Sequence, residues 1–195
     1  MTSAHAVEAH FCEHISVIKS TLDLSLEPLL QFSSVLVSSL EKGGTIFVCG
    51  NGGSASDSQH IAAELLGRFS INRQPLRAVS LASDISSITC ISNDFSYEDI
   101  FSRQVEALAR QGDVLFAIST SGNSSNVVAA IQQAKSMGVS SLAFLGKDGG
   151  VCKPIADYSI VVPSYSTARV QETHILLAHI LCDMIEKNLG LVSHE

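Results

Sequence analysis

The stretch Thr45-Ile46-Phe47-Val48-Cys49-Gly50-Asn51-Gly52-Gly53-Ser54-Ala55 decides the fold. A short, unbroken apolar and β-branched run leads straight into a glycine-rich turn, which opens a helical pattern over 55–67. Runs of this kind belong to strands buried on both faces, as in a parallel sheet. The same order recurs downstream, with strands expected at 76–81, 114–118, 141–145 and 158–162. Helical patterns fill 86–92 with 97–109, 126–137 and 167–189, and a short turn falls at 150–156. Strands alternating with helices imply parallel pairing, right-handed crossovers and helices on both faces. The class is therefore α/β, a doubly wound five-stranded parallel sheet. Upstream, Phe11, Ile15, Ile18 and Leu22, then Leu29, Val35, Leu36 and Leu40, recur at helical spacing. Pro28 stands where a second helix would begin, so an N-terminal helical hairpin is expected.

A chain of 195 residues suits one domain, with 1–42 as helices for packing and oligomerisation and 43–195 as the α/β core. Twelve Lys and Arg against 19 Asp and Glu give a net charge of -7, with no basic cluster to grip nucleic acid. Charged residues are only 16% of the chain and hydrophobic ones 46%, so more apolar surface needs covering than one small domain hides. A homo-oligomer is expected. The five cysteines show no C-x-x-C spacing, which favours a reducing cytoplasm over a disulfide framework. Residues 1–10 lack a signal-peptide pattern, and the most apolar window, 175–185, is broken by His179 and Asp183. Neither secretion nor membrane insertion is expected.

In a doubly wound sheet the chemistry lies beyond the carboxyl ends of the strands. The loop Gly50-Asn51-Gly52-Gly53-Ser54-Ala55 offers backbone amides at a helix start, where an anion binds. It matches G-x-G-x-x-A, but the acid that a dinucleotide site needs about 20 residues on is missing; Asp84 is the nearest at the end of the next strand. A second loop, Ser119-Thr120-Ser121-Gly122-Asn123-Ser124, places four hydroxyls before a helix. An N-cap at Ser124 accounts for one of them and leaves three. Hydroxyls and amides suffice to hold a dianion, so a phosphate monoester site is expected, and no P-loop lysine points to a nucleoside triphosphatase.

His60 and Glu64, four residues apart, share one helix face and have the chemistry to hold a divalent metal together. The last helix carries Gln171, Glu172, His174 and His179 in an apolar setting, where a hydrogen-bonded core histidine is the plainer reading of His179. Gln171 and His179 lie about 12 Å apart along a straight helix. One ion takes both only if the helix start is distorted or two subunits share the site.

The strings Gly50-Asn51-Gly52-Gly53-Ser54, Gln59-His60 with Glu64 and Gly67-Arg68, Ser92-Asn93-Asp94, Gly112-Asp113-Val114-Leu115, the run from Ile118 to Ser124, Gly146-Lys147-Asp148-Gly149-Gly150, and Arg169-Val170-Gln171-Glu172 with His179 resemble the phosphoheptose isomerase branch of the sugar isomerase (SIS) domain family. The resemblance keeps motif order and spacing over nearly all of the chain after Gly43. It implies a flavodoxin-like sheet, a homotetramer with active sites between subunits, and one zinc ion per subunit held by His60, Glu64, Gln171 and His179. It further implies substrate contacts from Asn51, Gly52, Gly53, Glu64, Asn93, Asp94, Ser119, Thr120, Ser121, Ser124 and Gln171, with Arg68 nearby. The implied reaction turns sedoheptulose 7-phosphate into D-glycero-D-manno-heptose 7-phosphate, the first step towards the ADP-heptose of lipopolysaccharide cores. Moving a proton between C1 and C2 through an enediol asks for a base, assigned to Glu64, and an acid/base partner at the oxygens, assigned to His179. The rival reading is a non-catalytic SIS protein that binds the replication initiator DnaA or senses a sugar phosphate. The DnaA-associated group lacks the glutamate and histidine matching Glu64 and His179, both present in this chain.

Overall fold

A computed structural model describes residues 4–191. Five parallel strands lie in the order β2-β1-β3-β4-β5: β1 Ile46–Gly50, β2 Ala78–Ser80, β3 Val114–Ser119, β4 Ser140–Gly146 and β5 Tyr158–Val162. Register runs from Ile46 opposite both Ala78 and Val114 to Gly146 opposite Val162. Every residue of β1 and β3 is buried, as the unbroken apolar runs require. Alternate residues face opposite layers. Ile46, Val48, Phe116 and Phe144 meet α1 (Ala4–Glu41), α2 (Gly53–Leu66) and α7 (Thr167–Asn188). Phe47, Cys49, Leu115 and Leu145 meet α4 (Ser102–Leu108), α5 (Ser125–Ser136) and α6 (Cys152–Ile155). α3 (Ile85–Asp94) and a 3-10 turn at Tyr97–Asp99 lead into α4.

β2 is shorter than the expected 76–81. The Leu76 amide is taken by the Leu65 carbonyl at the end of α2, so pairing with β1 begins only at Ala78. Within 97–109 the pattern divides, because the Ser96 hydroxyl caps the Tyr97–Asp99 turn and α4 starts afresh at Ser102.

The expected N-terminal hairpin is not formed. α1 is one helix of 38 residues with Pro28 inside it. Thr21, Ser25, Leu29, Phe32 and Leu36 stay buried on one continuous face across the proline. Packing against the sheet and α7 thus holds the helix through the one backbone bond that a proline removes. Its amino-terminal half leaves Val7, Phe11, Ile15 and Leu22 exposed.

Under α1 the core is aromatic. Phe32 stacks on Phe144 at 5.7 Å, and Phe116 meets Phe144 edge-on at 4.7 Å. His174 also stacks on Phe144, at 5.5 Å, and donates from Nε2 to the Leu145 carbonyl at 3.0 Å. The core histidine of α7 is therefore His174, only 1% exposed, rather than His179. Burial pushes its imidazole from 6.5 down to about 4, with the Leu145 bond partly opposing the fall. A group held neutral in the folded state gives its full stabilisation above the unfolded value and loses it as pH falls through the folded one. Between pH 6.5 and about 4 the protein is expected to lose about 3 kcal/mol through this residue. Urea midpoints across that range check it; H174Q should remove this part of the slope.

Candidate active site

The carboxyl ends of β1 and β3 carry both expected loops. After β1, Gly52 has a φ of 57°, a left-handed conformation that suits glycine, and α2 begins at Gly53. A side chain at Gly53 would collide with the Gln171 carboxamide, so α7 lies directly over this turn. After β3, the Ser119 hydroxyl accepts the Gly122 amide at 3.1 Å and meets the Ser124 hydroxyl at 3.1 Å. Ser124 precedes α5 yet makes no side-chain cap bond, leaving its hydroxyl turned into the loop rather than onto the helix. The Ser121 hydroxyl accepts the Asn123 amide at 3.2 Å.

The segment after β4 buttresses this second loop. Gly122, at a φ of 67°, sits where a Cβ would strike the Gly149 carbonyl, and the Cys152 amide donates to the Gly122 carbonyl at 2.9 Å. The two loops are locked together by Asn51 and Asn126, whose carboxamides bond reciprocally at 2.7 and 2.9 Å. The Tyr97 hydroxyl donates to Asn51 Oδ1 at 2.9 Å and ties the end of the α3 segment to the same point. Asn93 and Asp94 bond to each other at 2.8 Å at the exposed end of α3. Arg68 is exposed just beyond α2.

His60 and Glu64 lie one turn apart on α2, and His179 reaches them from α7. His60 Nε2 is 3.0 Å from Glu64 Oε1 and 3.3 Å from His179 Nε2. The three donor atoms fall within 4.8 Å of one another. Bonds of about 2.0–2.1 Å to a tetrahedral ion put neighbouring donors about 3.3–3.4 Å apart, so this set fits a small divalent ion. Two imidazole nitrogens and a carboxylate oxygen are also the donor types that zinc takes. Gln171 lies on the same uninterrupted α7 two turns before His179, with its carboxamide over Gly53. One turn before His60, the Asp57 Oδ2 is buried without a hydrogen-bond partner. Burial raises its carboxyl above the usual value, with His60 pulling the other way.

Sequence reading missed Asn126, Tyr97 and Asp57. Asn126 had a visible signal, a polar residue in the first turn of a helix whose next residues are Val127, Val128 and Ala129. Tyr97 had none, since its partner stands 46 positions away. No helix among the described residues is long and apolar enough to cross a membrane.

The SIS domain model matches residues 10–146 of the chain. A phosphoheptose isomerase of Helicobacter pylori (strain P12) is 50% identical over 184 residues, 94% of this chain and 96% of that protein. Among solved structures, a phosphoheptose isomerase from Neisseria gonorrhoeae superposes with a TM-score of 0.91 at 42% identity, over 95% of this chain and all of that one. One from Francisella tularensis gives 0.92 at 35% identity, over 96% of this chain and 100% of its own. The chain therefore belongs to the SIS domain family, in its phosphoheptose isomerase branch.

Proposed function

We propose that this protein is an aldose–ketose isomerase that converts sedoheptulose 7-phosphate to D-glycero-D-manno-heptose 7-phosphate through an enediol. This is the step that feeds ADP-heptose and lipopolysaccharide core synthesis in the cytoplasm. The observation that carries the reading is the convergence of His60, Glu64 and His179 from two helices, on a scaffold that also presents a hydroxyl-rich loop. A sugar-phosphate sensor needs the loop but not the acid/base pair, and an initiator-binding protein has no use for that pair.

The hydroxyls of Ser119, Thr120, Ser121 and Ser124 hold the phosphate, with amides at the start of α5 supplying positive potential. Asn51, with Gly52 and Gly53, orients the sugar chain, and Asn93, Asp94 and Gln171 close its far side. Glu64 takes the proton from C1 and returns it at C2. His179 shuttles the proton between the two oxygens and assists ring opening. His60, Glu64 and His179, with Gln171 as fourth ligand, would hold a zinc ion, which when bound would supply Lewis-acid stabilisation of enediolate charge, in general worth several kcal/mol. With α7 uninterrupted, that Gln171 comes from a second copy. The exposed Phe11, Ile15 and Leu22 of α1 give such a copy apolar surface to cover, in keeping with a homotetramer.

Purified protein supplied with zinc should form the heptose aldose phosphate from sedoheptulose 7-phosphate; no turnover would defeat the reading. S121A is expected to raise KM several-fold while leaving metal content intact, because it removes one phosphate donor and touches no ligand. An unchanged KM would move the phosphate elsewhere.

A further inference from the structure

Past the end of α2 the chain turns back across α7 and closes around one buried carboxylate. Glu186 Oε1 accepts the Phe69 amide at 3.0 Å and Arg73 Nε at 2.7 Å. Its Oε2 accepts the Ser70 amide at 3.1 Å and the Ser70 hydroxyl at 2.9 Å. The Arg73 and Glu186 side chains are 2% and 1% exposed. The remaining guanidinium donors grip the end of α2, with Nη2 to the Glu64 carbonyl at 2.8 Å and Nη1 to the Leu65 carbonyl at 2.9 Å. α2 is thus fastened at the backbone of Glu64 itself. α7 is fastened at Glu186, seven residues past His179 and on the same face two turns on. In the same strap, the Phe69 ring stacks on the His179 imidazole at 5.6 Å and 30°.

Burying an ion pair is costly, and apolar residues of equal volume hold two helices together at least as well. Four directed bonds to one carboxylate add something else, a fixed geometry. We infer that Glu186 and the strap 69–73 are positioning residues for the cluster: Arg73 and Glu186 set the separation of α2 and α7 at Glu64, and Phe69 fixes the orientation of the His179 ring. The inference rests on reading His60, Glu64 and His179 as the metal and acid/base site.

Two readouts test it at fixed pH, with folding checked by circular dichroism. The first is the NMR shift of the His179 ring protons in metal-free protein, displaced by the ring current of Phe69. The second is zinc affinity, measured by competition with a chromophoric chelator. E186Q, or E186D should the first not fold, is expected to lose the displaced His179 shift. E186Q and F69L should weaken zinc binding by about 10- to 100-fold, the usual cost of removing a group that orients a ligand. F69Y keeps the stacked ring and should retain wild-type affinity. A folded F69L with wild-type zinc affinity, or a folded Glu186 variant with an unmoved His179 shift, overturns the inference. If the wild-type protein binds no zinc, the metal reading falls, and the His179 shift alone decides the positioning role.

Discussion

E64Q is expected to lower isomerase turnover by about 10²- to 10⁴-fold, the usual worth of a positioned general base. The substitution keeps the size of the side chain and one carbonyl oxygen facing His60, 3.0 Å away in the wild type. What it removes is the ability to take a proton from carbon. A loss of activity through metal loss looks different, because zinc content falls with it and added zinc restores rate. E64Q should stay inactive at saturating zinc, measured by a coupled assay for the aldose product. Wild-type turnover at full zinc occupancy would place the base on another residue, with Asp57 as the nearest carboxylate on the same helix.

R73M is expected to cost about 3–5 kcal/mol of stability, since it strands a buried carboxylate without its cation. That is a large fraction of the 5–15 kcal/mol of a typical domain. Burial acts to raise the Glu186 carboxyl, but the Phe69 and Ser70 amides, the Arg73 guanidinium and the Ser70 hydroxyl outweigh it and hold it at about 2. The folded value thus lies below the ordinary 4.5, so the stabilisation is complete above pH 4.5 and is lost as pH falls towards 2. Wild-type protein should therefore weaken in acid over that window, and R73M should weaken less steeply because less of the depression remains. Urea unfolding at pH 7 and pH 3 measures both. A loss below 1 kcal/mol at pH 7 would mean that water reaches Glu186 in the variant.

The sheet was legible because its central strands are buried on both faces and its strands are short apolar runs bounded by small polar residues; 158–162 and 114–118 read almost residue for residue as β5 and β3. Pro28 misled for a physical reason. Its local preference for a helix start is small beside the apolar face that α1 buries on either side of it. The spacing of His60 and Glu64 is a local, one-turn relation and was readable as such. The approach of His179, 119 positions later, was not derivable from spacing and came only from the family resemblance. Nor could periodicity separate His174 from His179, since both stand among apolar neighbours and only packing shows which one Phe144 covers. The Glu186 clamp was invisible for the same reason: its partners are more than 100 positions away and share no motif.

Incubating the zinc-loaded protein with sedoheptulose 7-phosphate in deuterated water tests the whole arrangement in one measurement. Deuterium should enter the sugar at the two enediol carbons, C2 of the aldose and C1 of the ketose, with wild-type protein, and should fail to enter with E64Q. Incorporation by E64Q equal to that of the wild type would contradict proton transfer by Glu64 through an enediol.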